Sequence, residues 1–367
     1  MRYAHITGWG MAVPDRVLTN DELAQSVDTN DKWIQERTGI RERHIARERD
    51  FPSTLAVDAS LKALAVANLK PSEIDLIICS TSSPEYIFPA TACIIQDQLG
   101  ATKAGAFDLL AACTGFIYAT NMAAQAIRSG SIKNALVIGA ETLSRFVDWQ
   151  DRNTCILFGD GAGAFVLQGS ELPGGVLSAV MHSDGSGGDL LSLPGGGSHF
   201  PATEDTLRDG KHFIHMDGRE VFRFATRVMG QAAKEALDLA GLTTQDVQWI
   251  IPHQANYRII ETAARYLKVP LDRFVINVDR YGNTSTASIP IAAVEAMEKG
   301  LIKNGDRIVL VGFGAGLTWG ALAAEWTGPL PKERHVDVQR DRRWGRIRSL
   351  LLRVMRFIEG LIWGRDQ

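Results

Sequence analysis

The chain alternates short apolar runs with longer amphipathic segments, which is the pattern of strands followed by helices. A first series of candidate strands lies at 4–9, 75–81, 105–110, 135–140 and 162–168. A second series lies at 176–182, 247–252, 273–278, 307–312 and 319–325. Helical patterns fall between most of these strands, at 54–68, 115–129, 219–240, 256–267 and 287–299. Because strands that alternate with long helices form mainly parallel, buried sheets, the pattern predicts an α/β fold.

The two series of strands resemble one another. A glycine-rich segment at 159–164 precedes the apolar end of the first series, and a similar segment at 312–316 precedes that of the second. The run IDLIICS at 74–80 matches VQWIIPH at 247–253 in its apolar positions. The pattern favours a duplicated α/β fold, although glycine-rich strand ends are general in α/β proteins and an unduplicated domain is the alternative.

On this pattern we divide the chain into an N-terminal half (1–172), a C-terminal half (173–330) and an extension (331–367). Gly328 and Pro329 mark the exit from the second half. The stretch 183–213, rich in Gly, Ser, Asp and Pro, predicts a long loop. Loops of such length are usually functional or mobile.

Charge is distributed unevenly over the 367 residues. The whole chain carries a net charge of -3, which gives it no nucleic-acid-binding character. Residues 331–367 alone hold ten Lys or Arg and five Asp or Glu, so a mildly acidic body carries a basic extension. With 45% hydrophobic and 22% charged residues, the composition excludes a disordered chain.

The four cysteines form no CxxC pair, and no cluster of His and Cys has zinc spacing. We therefore expect neither a disulfide framework nor a metal site, and a reducing cytoplasm is the default location. The N-terminus lacks the apolar core of a signal peptide. No apolar window is long enough to predict a membrane span.

Cys113 is the cysteine whose position suggests chemistry, because it follows a predicted strand and precedes the helical segment 115–129. A thiol at a helix N-terminus sees the positive end of the helix dipole, which lowers its pKa and favours the thiolate nucleophile. The alternative is an inert buried cysteine, the commoner role of this residue type. That alternative is favoured for Cys79, Cys93 and Cys155, which lie within apolar runs.

His253 and Asn283 lie at similar places in the second half. His253 ends the predicted strand 247–252, and Asn283 follows the predicted strand 273–278. Open α/β sheets bind ligands at the carboxyl ends of strands, and equivalent ends of two halves can meet in one cleft. A lone His or Asn is more often a hydrogen-bonded structural residue. Together with Cys113, however, they indicate a Cys/His/Asn site between the halves.

The segment GFGAG at 312–316 could be taken for a dinucleotide-binding loop. It lacks a following helix and an acid placed for a ribose, so a nucleotide-dependent dehydrogenase or kinase is excluded. Its glycines instead suit a backbone that approaches a reacting carbonyl and donates N–H groups to it.

Several segments together resemble one family. These are ACTGF (112–116), FGDGAGA (158–164), PHQAN (252–256), YGNTS (281–285), GFGAG (312–316), DKWIQERTGIRER (31–43) and MDGREVF (216–222). Their order and spacing are similar to those of β-ketoacyl-acyl-carrier-protein synthase III, and the resemblance covers residues 1 to about 327. It implies a thiolase-like fold, with duplicated βαβαβαββ halves in five layers, and a homodimer.

The resemblance also implies an activity, the decarboxylative Claisen condensation of an acyl-CoA primer with malonyl-acyl carrier protein (malonyl-ACP). This reaction initiates fatty-acid synthesis. CoA and carrier-protein thioesters are the substrates, and no cofactor or metal is expected. Cys113 resembles the nucleophile that takes the acyl group, while His253 and Asn283 resemble the pair that supports decarboxylation. The backbone N–H groups of Cys113 and Gly316 are the expected oxyanion-hole donors.

The resemblance assigns binding roles to further residues. Trp33 and Arg37 match positions that hold the CoA adenine, and Arg152 matches another CoA contact. An indole stacks on a base, and a guanidinium suits both stacking and phosphates. The remaining assignments are Asn256 near the pantetheine arm, Arg258 on the surface that docks acyl carrier protein, and Phe88 in the partner subunit's acyl pocket.

The extension departs from the family. Residues 342–365 show a helical pattern with Arg342, Arg346, Ser349, Arg353, Arg356 and Gly360 on one face. The other face holds Trp344, Ile347, Leu351, Val354, Met355, Ile358 and Ile362. A basic amphipathic helix of this kind is typical of proteins that bind an anionic membrane surface. Such binding would place a cytoplasmic enzyme at the inner face of the membrane. Two alternatives are a helix whose apolar face docks on the body or the dimer mate, and a docking site for acyl carrier protein or another enzyme.

Other functions remain open on the sequence. A synthase III-like paralogue of specialised metabolism would use a different acyl donor or acceptor. A hydroxymethylglutaryl-CoA synthase is disfavoured by the contexts of His253 and Asn283. An inactive scaffold, recruited to membrane by its extension, is disfavoured by the complete set of Cys113, His253 and Asn283.

Overall fold

The computed structural model describes residues 2–329 and 335–362. Its N-terminal half contains β1 (Tyr3–Ala12), β2 (Val17–Thr19), α1 (Asn20–Leu23), α2 (Asp31–Thr38), β3 (Glu42–His44), α3 (Pro52–Ala67), β4 (Leu76–Ser80), α4 (Thr91–Leu99), β5 (Gly105–Leu109), α5 (Gly115–Arg128), β6 (Asn134–Glu141), α6 (Arg152–Cys155) and β7 (Gly161–Ser170). Its C-terminal half contains β8 (Gly175–Ser183), β9 (Leu191–Ser192), α7 (Glu204–Arg208), β10 (His215–Met216), α8 (Gly218–Leu239), β11 (Trp249–Pro252), α9 (Tyr257–Leu267), α10 (Val278–Tyr281), α11 (Ser288–Glu298), β12 (Arg307–Gly314) and β13 (Thr318–Glu325). A last helix, α12 (Val338–Ile362), lies in the extension.

The main sheets of the two halves share one strand order, which confirms the predicted duplicated α/β fold. The first sheet has the order β5–β4–β6–β7–β1, with β5, β4 and β6 parallel and β7 antiparallel to them. The second has the order β11–β12–β13–β8, with β11 and β12 parallel and β13 antiparallel. In each sheet the strand that comes first in the chain closes one edge, antiparallel to its neighbour.

The predicted strand 273–278 is wrong. A 3-10 turn occupies Leu271–Arg273, and only an isolated bridge between Ile250 and Phe274 joins the following segment to β11. This bridge stands where β5 stands beside β4 in the first half. The segment cannot extend the ladder because the backbone N–H groups of Asn277 and Val278 are taken by the side chain of Gln254, at 3.0 and 3.2 Å.

The helices form layers around the two sheets. Helices α3 and α4 cover the outer face of the first sheet, α8 and α9 cover that of the second, and α5 and α11 lie between the sheets. The sequence of α11 explains its place, because every residue from Ser288 to Met297 is buried and a helix that is apolar all round belongs in a core. The order is therefore helix, sheet, helix, sheet, helix, the five layers expected for a thiolase-like fold.

The predicted loop 183–213 contains only short elements, a 3-10 turn at Gly185–Leu190, β9 and α7. The division of the chain at 172/173 and 330/331 stays a proposal. The described residues hold no helix with the length and apolar content needed to cross a membrane. They also hold no group of three or more His, Cys, Asp or Glu placed to bind a metal ion.

The extension forms a sixth, partial layer. Helix α12 begins at Val338, before the predicted start at 342, and is described as far as Ile362, so the predicted end at 365 lies outside the described residues. Val336 and Val338 are buried in the cluster that contains α3, and the helix then packs along α4. The alternative in which its apolar face docks on its own subunit is wrong, because the side that contacts α4 carries Gly345 and Ser349.

Candidate active site

Cys113 lies in a 3-10 turn, Ala112–Thr114, that connects β5 to α5. Its side chain is buried, and the turn is tight enough to place Ala112 in the left-handed region at φ +45°. Thr318, the first residue of β13, anchors the turn, because its hydroxyl lies 3.0 Å from the hydroxyl of Thr114 and donates to the carbonyl of Ala111 at 3.0 Å. A residue of the C-terminal half thereby fixes the turn that carries Cys113 in the N-terminal half.

His253 follows β11 and is fully enclosed. Its Nδ1 lies 2.6 Å from the hydroxyl of Ser288, and that hydroxyl accepts a longer hydrogen bond, 3.4 Å, from the backbone N–H of Gln254. A hydroxyl can accept from Gln254 and donate to Nδ1 at the same time, and we assign Ser288 as the donor to Nδ1. The proton of the neutral imidazole then sits on Nε2, a buried atom without a hydrogen-bond partner among the described residues.

Burial alone lowers the pKa of His253 to about 3. Phe313 reinforces this apolar setting, with its ring edge-on to the imidazole at 5.3 Å between centroids. At neutral pH the histidine is therefore an uncharged group that offers one N–H. A neutral donor of this kind suits the stabilisation of a developing oxyanion.

Asn283 lies between α10 and a short 3-10 turn at Ser285–Ala287. Its Oδ1 accepts a hydrogen bond from the backbone N–H of Ser285 at 2.8 Å, and its backbone N–H donates to the carbonyl of Leu157 at 2.8 Å. The preceding residue, Gly282, has φ +61°, and a side chain there would meet the Leu157 carbonyl at 2.9 Å. With Oδ1 occupied, the Nδ2 group is the free end of the Asn283 amide.

The structure brings the three residues of the predicted site together. Gly312 and Gly314 lie on one face of β12, and a Cβ at Gly312 would meet the Cβ of His253 at 3.3 Å. A Cβ at Gly314 would lie 2.7 Å from the backbone nitrogen of Cys113. On the other side, the turn of Cys113 contacts the turn of Ser285, whose backbone holds Asn283. Cysteine, histidine and asparagine therefore converge at the carboxyl end of β12.

The predicted low pKa of the Cys113 thiol is wrong for this structure. Burial raises its pKa to about 12, and a hydrogen bond from the Ser285 side chain and the turn's own backbone offset only part of that effect. The buried carboxyl of Glu141 raises the pKa further. The Cys113 side chain at the N-terminus of α5 is therefore a thiol at neutral pH.

Glu141 and Ser288 were not found by the sequence reasoning. Glu141 ends β6 and is buried between the halves, where it accepts hydrogen bonds from Ser83 at 2.6 Å and from Thr286 at 3.0 Å. Burial raises the pKa of its carboxyl, and these hydrogen bonds oppose the shift. Glu141 thus ties the Asn283–Ala287 segment to the first half. Two features of the sequence could have indicated these residues. Glu141 is a charged residue at the end of an apolar strand, and Ser288 is a polar residue at the start of an apolar helix.

Trp33, Arg37 and Arg152 also meet. The guanidinium carbons of Arg37 and Arg152 lie 5.2 and 5.1 Å from the centroid of the Trp33 ring. Asn30 caps α2 by accepting from the backbone N–H of Trp33 at 2.9 Å, which fixes the indole at the start of the helix. Asp28 accepts a hydrogen bond from Arg152 through its carbonyl at 3.0 Å. An indole between two guanidinium groups is a surface suited to a base and its phosphates.

Asn256 and Arg258 lie at the start of α9. The Oδ1 of Asn256 caps the helix by accepting from the backbone N–H of Arg258 at 2.9 Å. Its Nδ2 donates to the carbonyl of Arg37 at 3.0 Å. Asn256 therefore links the start of α9 to α2, which carries Trp33 and Arg37. Arg258 lies over the Phe222 ring at 5.3 Å.

Two predicted residues stand apart from this set. Gly316 lies in the turn between β12 and β13 with φ +120°, where a Cβ would meet Thr318 at 3.1 Å. The glycine packed against Cys113 is Gly314, so the role of Gly316 as an oxyanion-hole donor stays a prediction. Phe88 precedes α4 and is 85% exposed, which agrees with a side chain that projects from its own subunit but places it in no pocket.

Comparisons with known proteins relate this chain to one enzyme family. Two sequence profiles match, one for 3-oxoacyl-[acyl-carrier-protein (ACP)] synthase III over residues 107–185 and one for the C-terminal part of that enzyme over residues 237–326. The first contains Cys113, and the second contains His253 and Asn283.

Similar chains and structures carry the same description. A beta-ketoacyl-[acyl-carrier-protein] synthase III from Desulfitobacterium hafniense (strain DSM 10664 / DCB-2) is 54% identical over 322 residues, which cover 88% of this chain and 97% of that one. One from Roseiflexus sp. (strain RS-1) is 50% identical over 325 residues, 89% of this chain and 99% of that one. The crystal structure of 3-oxoacyl-[acyl-carrier-protein] synthase III from Aquifex aeolicus VF5 matches with a TM-score of 0.82 at 46% identity, covering 88% of this chain and 100% of that chain.

Proposed function

The chain belongs to the β-ketoacyl-acyl-carrier-protein synthase III family, and from that premise we propose that Cys113, His253 and Asn283 perform its condensation. The observation that supports this assignment is the convergence of the three residues at the carboxyl end of β12, between the two halves. Cys113 is a buried thiol, His253 is neutral, and Asn283 has its carbonyl oxygen fixed by Ser285.

In the first step, the Cys113 sulfur attacks the carbonyl carbon of the acyl-CoA primer. A carbon–sulfur bond forms to Cys113, the bond to the CoA sulfur breaks, and CoA leaves with the thiol proton. The Cys113 thiol proton is accounted for by the departing CoA sulfur, so one thiol is consumed and one is released. Because burial raises the pKa of Cys113, this proton has to leave the sulfur as the new carbon–sulfur bond forms, since the thiolate is the form that attacks.

In the second step, malonyl-ACP loses carbon dioxide and its thioester becomes an enolate. The Nε2–H of His253 and the Nδ2–H of Asn283 donate hydrogen bonds to the enolate oxygen, where charge develops. The enolate carbon then attacks the acyl carbonyl, the bond to the Cys113 sulfur breaks, and that sulfur takes a proton from water. The products are a β-ketoacyl-ACP and carbon dioxide.

Substrates reach this site past the Trp33 cluster. Its indole and guanidinium groups, held by Asn30 and Asn256, suit the adenine and phosphates of CoA. Arg258, close by at the start of α9, offers a positive charge to the acidic acyl carrier protein. We assign the acyl-CoA and carrier-protein contacts to these residues.

The enzyme acts as a homodimer. Strand β5 forms an edge of the first sheet and pairs only with β4 among the described residues. Leu110 directly follows β5, and Tyr86, Ile87 and Phe88 precede α4, the helix that packs on β5; the side chains of all four are exposed. A free edge beside large exposed apolar side chains is what a second copy covers in a stable dimer. Phe88 then enters the acyl pocket of the partner subunit.

We assign the enzyme to the cytoplasm, at the inner face of the membrane. A cytoplasmic enzyme with four free thiols in the described structure suits a reducing compartment. The arginines of residues 342–365 and the exposed apolar side chains of α12 support a peripheral position at an anionic membrane surface.

The proposal is tested by the intact mass of the purified protein after incubation with acyl-CoA primers from acetyl to long chain. We expect one acyl adduct, which disappears in Cys113→Ala and remains in the matched control Cys93→Ala, whose thiol is exposed. An adduct that persists in Cys113→Ala would refute the nucleophile.

The mass of the adduct also separates the two candidate functions. Acetyl or short branched adducts support initiation of fatty-acid synthesis, whereas long or aromatic adducts support a specialised paralogue. The identity of about half of all aligned residues to synthase III chains favours the first.

A further inference from the structure

We infer that α12 is a fixed bilayer-contact element, because its polar side is fastened to α4 and its apolar side faces away from the protein. This inference rests on the membrane contact proposed above and identifies the surface that makes it. The sequence pattern of α12 could equally describe a helix lying loose on a membrane with its arginines in water. The contacts with α4 show a different arrangement.

The first contact is a close helix crossing. Gly345 of α12 lies against Gly100, the residue that ends α4, and a Cβ on Gly345 would come within 2.4 Å of the Gly100 Cα. No side chain fits between the two backbones at this point. The crossing therefore specifies which side of α12 faces the body.

The second contact is polar and is made by α12 residues one to two helical turns after Gly345. Asp97 of α4 accepts hydrogen bonds from the Ser349 hydroxyl and from the Arg353 guanidinium, and Arg353 also forms an ion pair with it. Arg342 donates to the carbonyl of Gln98 at 3.3 Å. Gly345, Ser349 and Arg353 recur at helical spacing, so one side of α12 is used for docking.

The opposite side is apolar and exposed. Eight large side chains follow helical spacing on it, and Trp344 and Leu351 are 65% and 58% exposed. The full set is Trp344, Ile347, Leu350, Leu351, Val354, Met355, Ile358 and Leu361. We call this set the outer face of α12. No other helix of the described chain exposes so many large apolar residues, and a patch of this kind marks an interaction site.

The charges beside the outer face favour a bilayer as its occupant. Arg346 lies along one edge of the face and Arg348 along the other, and both are exposed. Arginines placed there reach anionic headgroups while the apolar side chains enter the acyl boundary. A second copy of α12 packed on the same face would instead bring two pairs of arginines together. Repulsion between these like charges opposes the pairing of two α12 helices.

The dimer geometry strengthens the contact. If β5 pairs antiparallel with its own copy, the two-fold axis stands perpendicular to the sheet, so the same face of both subunits points the same way. Helices α4 and α12 lie on one face of that sheet. Both outer faces are then presented on one side of the dimer, and two linked contacts bind more tightly than one.

The test is sedimentation of the full chain with vesicles. We expect the protein to pellet with phosphatidylcholine vesicles that contain phosphatidylglycerol and to pellet poorly with phosphatidylcholine alone. Leu351→Glu combined with Ile358→Glu places two charges on the outer face and should weaken partition by ~100-fold or more. Arg346→Gln combined with Arg348→Gln should weaken only the preference for anionic vesicles, by about fivefold for each arginine.

A matched control is Leu172→Glu combined with Leu239→Glu. Both leucines are as exposed as those of the outer face, at 64% and 65%, but lie elsewhere on the surface. This control should bind vesicles like the wild-type chain. Equal binding by the Leu351/Ile358 variant, or no wild-type binding to either vesicle, would overturn the inference.

Two further readouts separate this inference from the alternatives. If the wild-type chain forms larger assemblies that the Leu351/Ile358 variant abolishes, without any vesicle binding, then a second copy occupies the outer face and the inference is wrong. Condensation without vesicles is measured on the same samples. We expect the condensation rate of the variants to equal that of the wild-type chain. If the wild-type chain shows no condensation, the proposed function is refuted, and vesicle binding still tests the inference about α12.

Discussion

The catalytic junction and α12 arrange polar and apolar groups in opposite ways. At the junction, most of the buried polar side chains have hydrogen-bond partners among the described residues, and the Nε2 atom of His253 is one of the few polar atoms that do not. On α12, the polar side is paired with Asp97 and the apolar outer face is left over. The Nε2–H of His253 is complementary to a hydrogen-bond acceptor, and the outer face of α12 is complementary to a hydrocarbon phase.

The same two regions differ in their relation to similar proteins. Cys113, His253 and Asn283 lie within the matched parts of the family profiles, which end at residue 326. Helix α12 begins twelve residues later, at Val338, and relatives that are matched over 97% to 99% of their length align with only 88% to 89% of this chain. The three residues thus lie in the part of the chain that the family profiles match, while α12 lies beyond it. Changes at one region should leave the other unaffected.

The largest effect is expected from Cys113→Ser. A serine hydroxyl in this buried turn is a far weaker nucleophile than a thiol, so condensation should fall by ~10⁴-fold or more. The measurement is β-ketoacyl-ACP formation, with carbon dioxide release followed in parallel. Slow decarboxylation of malonyl-ACP should persist because His253 and Asn283 remain. Unchanged condensation would remove Cys113 from the mechanism.

The next effect separates the two chemical steps. Asn283→Ala removes one of two donors to the enolate, so decarboxylation should fall by ~10²- to 10³-fold, while acyl loading of Cys113 continues. Intact mass reports the loading, and carbon dioxide release reports the second step. Normal decarboxylation in this variant would contradict the role of Asn283.

The pH dependence of Cys113 reactivity tests the electrostatic description of the junction. Because burial raises the pKa of the thiol to about 12, its thiolate is a minor form and increases as pH rises. Alkylation by iodoacetamide should therefore rise ~10-fold for each pH unit between about 7 and 9. A rate that levels off below about pH 8 would show that the helix N-terminus outweighs burial. The Cys113→Ala variant supplies the background rate.

Much of the fold could be predicted from the sequence because its periodicity is strong. The boundaries of α5, α8 and α11 agree with the predicted helices to within a residue or two. The segment 273–278 could not be placed correctly, since its apolar pattern suits a strand but its backbone N–H groups are captured by the side chain of Gln254. A long-range capture of this kind leaves no periodic signal.

The active-site residues could be named from the sequence, but their chemical states could not. The helix dipole predicts a low pKa for Cys113, and burial, which depends on packing of both halves, reverses the shift. The amphipathic pattern of α12 likewise shows two faces without showing which one docks. That depended on Gly100 and Asp97, both far from α12 in the chain.

A smaller effect is expected from Ser288→Ala, which removes the hydroxyl that holds Nδ1 of His253. Without this hydroxyl, the neutral imidazole no longer favours the tautomer with its proton on Nε2 over the one with its proton on Nδ1. Condensation should therefore fall by ~10-fold. Acyl loading should be unchanged, which distinguishes this outcome from a general loss of structure. Ser288→Thr keeps the hydroxyl and should recover part of the activity. Equal rates for Ser288→Ala and the wild type would show that another group fixes the imidazole.

The smallest effect, and the one confined to α12, is expected from Gly345→Ala. Alanine stabilises a helix by ~1 kcal/mol relative to glycine, so the substitution would stabilise α12 if the helix were undocked. In the docked helix the new Cβ would meet the Gly100 backbone, and α12 should shift off α4 and lose the Asp97 contacts. Trypsin should then cut at the arginines of α12 a few-fold faster, with condensation unchanged. Gly360→Ala is the matched control, because a Cβ there meets nothing within 4 Å and should only slow the cutting. If both variants slow the cutting equally, α12 is not fastened at Gly345, and the outer face has no fixed direction to present to a bilayer.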